Sequence, residues 1–217
     1  MTEVERKSHA PVDELKLTFP EDEKKFLESA YEGASTILEY GSGGSTMLAA
    51  RLGKHVVAIE SDPVWAASLN TIIGRHGFGG HAKVIHSDIG PVGLWGKPYD
   101  NSASQNFPNY ALAVWEREDF QHPDVVLVDG RFRTACVLAT ILNAKAPVLL
   151  LFDDYSDRSR YHWIEKVIEP TQRVGRMAVF EIVPGKTNLA GYWLEIVKDF
   201  SRTTFVPAQK KRKKLKF

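Results

Sequence analysis

Glu39-Tyr40-Gly41-Ser42-Gly43-Gly44-Ser45-Thr46 is the stretch of this chain whose composition points most directly to ligand chemistry. Glycines between a strand and a helix let the backbone bend tightly and bring its N–H groups against a ligand, while the helix aims its positive end at the same place. Nineteen residues after Gly41, Glu60 closes a second β-branched run and is followed by Ser61. A carboxylate at that point accepts hydrogen bonds from both hydroxyls of a ribose. Asp88, with Ile89 beside it, closes a third run. It can receive an adenine amino group while Ile89 packs on the ring, or it can be a strand-end turn residue. Two later runs end in Asp129-Gly130-Arg131 and in Asp153-Asp154-Tyr155. If those strands are neighbours, about 4.8 Å apart, three carboxylates meet at one mouth.

Such crowding raises carboxylate pKa values unless a cation is near. One candidate is a divalent ion such as Mg²⁺ on Asp129, Asp153 and Asp154, since oxygen-only ligands suit it. The other is the set Arg131, Arg133, Arg158 and Arg160. An arginine-rich mouth favours an acceptor bearing a carboxylate, phosphate or sulfate. Arg131, Arg133, Tyr155 and Arg158 are the candidate substrate-binding residues, and Asp129 and Asp154 the candidate catalytic ones. His162 is a further candidate base, though a lone helical histidine is more often a surface or packing residue. Trp95, Tyr99, Trp115, Tyr155 and Trp163 are available to wall a pocket, although aromatic side chains usually belong to cores.

The elements that must position these groups follow from apolar periodicity. From Ser35 onward, short β-branched blocks alternate with longer stretches at helical spacing, the pattern of βα units around a parallel sheet. Strands are predicted at Thr36–Tyr40, His55–Glu60, Ala82–His86, Val125–Asp129 and Val148–Asp153, and helices at Ser45–Leu52, Pro63–His76, Asn109–Glu118, Phe132–Asn143 and Arg158–Glu169. Upstream, Thr18 followed by Pro20-Glu21-Asp22-Glu23 has the capping hydroxyl, early proline and clustered acids of a helix start. That helix is expected beside the first strand. Val179–Val183 and Tyr192–Val197, flanking Pro184–Gly191, read as an antiparallel hairpin. Ile89–Pro108, rich in Gly and Pro with Trp95, Tyr99 and Phe107 between, is irregular and reads as a binding loop or a surface excursion.

Charge then separates two nucleotide-type ligands. A carboxylate two residues before the first glycine repels a pyrophosphate, and Glu39 occupies that position. S-adenosylmethionine instead brings a cationic amino group and a sulfonium, which an acidic turn favours. The candidate cofactor residues are thus Glu39, Gly41, Ser42, Gly43, Gly44, Ser45, Thr46, Glu60, Ser61, Asp88, Ile89 and Asp129.

At this point the residues resemble the class I S-adenosylmethionine-dependent methyltransferases. ILEYGSGGST is similar to their glycine motif, VVAIESD to their acidic second-strand motif, and VIHSD to their third-strand end. The resemblance covers roughly Ser35 to Arg202. It implies an α/β, Rossmann-like, doubly wound and mostly parallel seven-stranded sheet in the order 3-2-1-4-5-7-6, the last strand antiparallel, with the cofactor across the C-terminal ends of the first strands. Ser45 stands where the commonest pattern has its third glycine. VDG with FDD also resembles the metal-dependent O-methyltransferases of catechol-type hydroxyls. Asp129 and Asp153 match their metal-binding acids and Asp154 replaces an Asn, but the general-base lysine expected at position 132 is Phe.

Bulk composition is compatible with this. The 217 residues, 43% hydrophobic and 25% charged, fit one globular domain. It is divided here into an N-terminal helical segment (1–34), a cofactor domain (35–202) and a basic tail (203–217). Six of the 28 basic residues lie between Lys210 and Lys216, so the net +1 hides a mildly acidic domain of 22 bases against 27 acids. The tail reads as solvated, with nucleic acid as its alternative partner. No run is long and apolar enough to span a membrane, and the expected compartment is cytoplasmic. Cys136, the single cysteine, excludes an intrachain disulfide. The leading expectation is O- or N-methylation of a small-molecule or glycan-like acceptor. A methyltransferase-like binding protein without catalysis and an NAD(P)-dependent oxidoreductase are the alternatives.

Overall fold

A computed structural model of the protein describes residues 15–207. These form a seven-stranded sheet in the order β3-β2-β1-β4-β5-β7-β6. Strands β1 (Thr36–Tyr40), β2 (His55–Glu60), β3 (Ala82–His86), β4 (Val125–Val128) and β5 (Val148–Phe152) are parallel. Strand β7 (Met177–Ile182) runs antiparallel beside β5, and β6 (Gln172–Val174) antiparallel beside β7. The expected fold class and strand order are those observed.

Alternation along the strands sorts the core into two layers. Ile37, Leu127, Leu151 and Val179 face one side, where they cluster with α1 (Glu21–Gly33), α2 (Gly44–Arg51) and α3 (Pro63–Arg75). Leu38, Tyr40, Val128, Leu150 and Phe152 face the other, against α4 (Phe107–Leu112), α5 (Arg133–Asn143) and Ile196 of α6 (Trp193–Asp199). Helices on both faces explain why β4 and β5 read as continuous apolar runs. The parity also decides a functional matter. Glu39 lies one residue from both Leu38 and Tyr40, so its side chain falls on the α1–α2 face.

Several expectations need correction. The hairpin is not Val179–Val183 with Tyr192–Val197 but β6 with β7, joined through Gly175 and Arg176. Both edges of β7 are already paired, one with β5 and one with β6, so no ladder is open to residues 192–197. They form α6 instead, which buries Ile196 and leaves Trp193, Leu194 and Val197 exposed. The helix expected over Asn109–Glu118 is α4 followed by a 3₁₀ segment, Ala113–Glu116, and the one over Arg158–Glu169 is a 3₁₀ segment, Ser159–Lys166. Thr18 does not cap α1. That helix starts after Pro20 without a side-chain cap, and its first turn holds Glu21, Asp22 and Glu23. Strands β4 and β5 stop one residue short of Asp129 and Asp153, which puts both acids just beyond the sheet edge.

Of the basic tail, residues 203–207 are described and pack on the domain, where Val206 N donates to Pro98 O at 3.0 Å. Lys210–Lys216 lie outside the described residues. Residues 89–108 are irregular as expected, with short 3₁₀ turns at Leu94–Gly96 and Ser104–Asn106. Among the described residues no helix is long and apolar enough to cross a membrane.

The turns after β1 and β4 press directly on one another. A Cβ on Gly130 would come within 2.1 Å of the Tyr110 hydroxyl and 2.7 Å of Gly41 N. Both contacts belong to fixed groups, since Tyr110 is buried and its hydroxyl donates to Ile59 O at 3.2 Å. Gly130→Ala is expected to cost about 1–3 kcal/mol through overpacking. Urea unfolding checks this, and an unchanged midpoint would contradict the close packing.

Candidate active site

All the candidate groups except Tyr155 and Ile89 are polar or backbone groups gathered at the C-terminal edge of the sheet. In the glycine turn, Gly41 (φ +105) packs on Gly130, and a Cβ on Gly44 would lie 2.5 Å from Lys16 O. Only Gly43 among the three turns toward open space, with nothing within 4 Å of an added Cβ. The ligand-facing part of the turn is therefore Ser42 and Gly43, bordered by the half-buried Ser45.

Glu39 does not reach that open face. It is fully buried, with Oε1 accepting from Tyr31 Oη at 2.6 Å and Oε2 from Thr46 Oγ1. Thr46 Oγ1 in turn accepts from Gly43 N at 3.0 Å. Burial pushes the Glu39 carboxyl up to about 7, against the lowering effect of its hydroxyl donors. The expectation that a free negative charge in the turn selects the ligand is thus corrected. Glu39 and Thr46 brace the turn from behind, and the electrostatic case against a diphosphate loses its main support.

Glu60 is placed differently. Its Oε1 accepts from Ser61 N at 2.8 Å and Asp62 N at 3.0 Å, which fixes the carboxylate. Its Oε2 accepts only from Ser42 Oγ, at 2.9 Å, and keeps a lone pair toward the turn. Ser61 is buried and its hydroxyl donates to Gly96 O at 2.9 Å. It anchors the 89–108 loop instead of meeting a ligand. Asp88 is exposed and accepts from Gly90 N at 2.9 Å, a turn role that leaves its other oxygen uncommitted. Ile89 is fully buried in the core.

The three carboxylates do meet, with one oxygen of each of Asp129, Asp153 and Asp154 within 4.8 Å of the others. Guanidinium groups neutralise them. Arg133 is buried and spends every donor internally: Nε on Gly130 O, NH1 on Asp153 O and Asp154 Oδ2, NH2 on Asp129 O and Oδ1. Arg176 grips Asp153 through two bonds of 2.9 Å and lies 3.3 Å from Asp154 Oδ1. Arg158 closes on Asp154 Oδ2. Asp129 Oδ2 is left without an ion pair among the described residues. This donor set does not fit a divalent ion, which would have to displace three guanidinium groups.

Three corrections follow for the expected roles. Arg133 and Arg158 hold carboxylates and do not face an acceptor. Asp154, with both oxygens ion-paired, is no candidate base. Tyr155 is buried, donates to Glu165 Oε1 at 2.8 Å and packs on Phe152 and Phe180. His162 contacts Tyr155 O through Nε2 at 3.1 Å, a packing role. Of the three arginines expected to bind substrate, Arg131 alone makes no ion pair among the described residues. Of the aromatic wall candidates, Trp95 and Tyr99 are exposed on the 89–108 loop.

The groups that sequence reasoning missed come from elements with no motif. Arg176 sits in the β6–β7 turn, its N–H held by Glu23 Oε1 of α1 at 2.9 Å. Tyr110 accepts from Arg131 N at 3.2 Å and joins the β2 and β4 ends. Only the turn residue Gly175 ahead of Arg176 offered a signal.

No protein-family model matches the chain, and no curated protein does. Among solved structures, a methyltransferase-like protein from Silicibacter pomeroyi DSS-3 is 42% identical, with 87% of this chain and 98% of that one aligned at a TM-score of 0.80. The chain belongs to the family of this methyltransferase-like protein. Cofactor-bound Rv0187 from MTB (20% identity, 79% and 84% coverage, TM-score 0.52) and the O-methyltransferase TomG from Streptomyces achromogenes in complex with SAM (18%, 78% and 82%, 0.50) share the fold. At this edge of the methyltransferase-like fold, Gly43 borders open space, and Glu60 beside it has one oxygen that accepts a single hydrogen bond, from Ser42.

Two outcomes test these assignments. Glu39 has a folded pKa of about 7 against 4.5 unfolded, so its contribution is complete below about pH 4.5 and is lost as pH rises through 7. Glu39→Gln keeps a neutral side chain, so its melting temperature should overtake that of the wild type between pH 5 and 8, by an amount worth on the order of 2–3 kcal/mol. A pH-independent difference between the two would place the Glu39 charge elsewhere. Thermal stability should also be indifferent to EDTA and to added Mg²⁺. A marked rise with Mg²⁺, lost in Asp153→Asn, would restore the metal reading.

Proposed function

We propose that this methyltransferase transfers a methyl group from S-adenosylmethionine to an oxygen or nitrogen of a small-molecule or glycan-like acceptor. The observation that carries the cofactor half is the Glu60 carboxylate, fixed by two backbone N–H groups through one oxygen and accepting a single hydrogen bond, from Ser42, through the other. That is an acceptor suited to a ribose hydroxyl. Gly43 supplies the open cradle beside it, so the residues present fit the cofactor.

When bound, S-adenosylmethionine supplies an electrophilic methyl group. Methyl transfer is an in-line displacement, and the protein's share is mostly alignment and exclusion of water. The ends of β1 and β4, locked by Gly41 on Gly130, provide a rigid floor. Ser61, by bonding Gly96 O, draws the 89–108 loop against the Glu60 end of the cleft. Asp129 is the acid suited to take a proton or hydrogen bond from the acceptor. Its Oδ1 is held by Arg133 at 2.8 Å and its side chain is 40% exposed, so Oδ2 can face the cleft. An Asp in that role replaces the lysine that Phe132 displaces.

Glu60→Ala should weaken S-adenosylhomocysteine binding by about 1–3 kcal/mol, roughly tenfold to a hundredfold, as one charge-assisted hydrogen-bonding group is lost. Calorimetry measures it. Unchanged affinity removes Glu60 from the site, and tight NAD binding in place of S-adenosylhomocysteine overturns the reading.

A further inference from the structure

Three cations in and beside the cleft form no ion pair among the described residues. The carboxylates of Asp129, Asp153 and Asp154 use up Arg133, Arg158 and Arg176, and Arg202 pairs with Asp199 at 3.1 Å. Lys97, Arg131 and Arg160 have no carboxylate partner among the described residues. Clustered positive charge without a counterion is unfavourable in a partly desolvated place, and such places are stabilised by an incoming anion.

The geometry gives Arg131 and Arg160 a common pocket, with Lys97 outside its lining. Arg131, Thr134, Arg160, Tyr161, Thr203 and Thr204 line a partly open cleft of about 50 Å³ beyond the end of β4. Three separate segments build it: the β4–α5 turn, the 3₁₀ segment after β5 and the chain that follows α6. The volume takes a compact group and leaves the rest of a ligand outside. Arg160 is held in place, its NH2 donating to Tyr161 Oη at 3.0 Å and its guanidinium 4.7 Å from the ring centre.

The floor of the cleft is the start of α5. No side chain caps this 11-residue helix and no acid lies in its own first turn, which leaves backbone N–H groups there for an acceptor. The electrostatics agree. Burial and then Arg133 lower the Arg131 pKa, and burial followed by Arg131, Arg158 and Arg160 lowers that of Lys97. Burial alone would raise the Tyr161 phenol, but Arg133, Arg160 and Arg158 more than offset it.

We propose that this cleft binds a phosphate monoester group of the methyl acceptor, with Arg131 and Arg160 as ion-pair partners and Tyr161 and the start of α5 as hydrogen-bond donors. A carboxylate is satisfied by one bidentate guanidinium and would leave the second arginine and Lys97 uncompensated. A phosphate dianion accepts from several directions and matches the excess charge. As acceptor recognition this rests on the methyltransferase reading above, whereas the binding event does not.

The test is titration of the full chain with inorganic phosphate, and separately with acetate at matched ionic strength, following calorimetry and melting temperature. S-adenosylhomocysteine is titrated in parallel. Arg160→Ala is exposed and safe for folding, and Arg131→Gln is the second variant. Phosphate should bind and raise the melting temperature, with acetate weaker. Each variant should lose about fivefold to tenfold in phosphate affinity, the size of one charge-assisted contact, with S-adenosylhomocysteine affinity unchanged. Equal phosphate affinity in wild type and Arg160→Ala, or acetate matching phosphate, overturns the site. Phosphate binding that depends on both arginines without any S-adenosylhomocysteine binding sustains the site and sinks the methyl-transfer reading instead.

Discussion

A guanidinium with all five donors engaged and almost no exposed surface is what lets three carboxylates share the ends of β4 and β5. Arg133 reaches back from the first turn of α5 to Asp129, Gly130, Asp153 and Asp154, so it ties two strands and a helix together while cancelling charge. Removing one partner from a buried ionic cluster costs far more than the intact pair contributes, because the remaining charge is left unpaired. The arrangement therefore constrains everything around it. Asp153 must stay with Arg176 and Asp154 with Arg158, and Asp129 alone keeps an oxygen for chemistry.

Arg176 carries that constraint across the molecule. It stands in the β6–β7 turn, where Gly175 adopts φ +54 and a Cβ would lie 2.2 Å from Glu23 Oε1. Glu23, in the first turn of α1, holds Arg176 N, so α1 fixes the turn that delivers the guanidinium to Asp153. A second brace from the same helix, Tyr31 on Glu39, supports the glycine turn from below. The N-terminal helix is thus part of the site's foundation, although none of its residues faces the cleft.

How much of this was legible in the sequence depended on range. The parallel strands could be read because β-branched blocks and glycine turns are local signals, their order followed only from the resemblance to the methyltransferase family, and Glu60 could be placed because strand length alone puts it at the edge. Glu39 was misjudged because spacing from the glycines fixes its position on the strand, whereas its function depends on which face its side chain takes and on Tyr31, eight residues away. The same limit affected the C-terminal hairpin. Tyr192–Val197 has strand-like residues, but whether they pair depends on an open edge, and β6 had already closed it with a three-residue strand too short to announce itself. Arg176 carried no motif, since a charged residue after a turn glycine is indistinguishable from a solvated one until its neighbours are known.

Backbone strain at the edge gives a last line of reasoning. Among the described residues, the positive-φ side chains other than glycine are Trp95, Phe132 and Asp154. Each lies beside the cleft: one on the 89–108 loop, one where β4 enters α5, one just after β5. Left-handed backbone costs bulky residues on the order of 1 kcal/mol or more, and it persists only where the surroundings hold it. Here the arginine network does the holding for two of the three. Phe132 must turn sharply so that Arg133 can reach back under β4, and Asp154 must turn so that its carboxylate meets Arg133 and Arg158. That same turn at Phe132 leaves the first turn of α5 without a side-chain cap, and Arg131, just ahead of it, forms no ion pair with the acids. The geometry that satisfies the negative charges is therefore the geometry that leaves positive ones unsatisfied, and an anionic acceptor group is the partner that completes the balance.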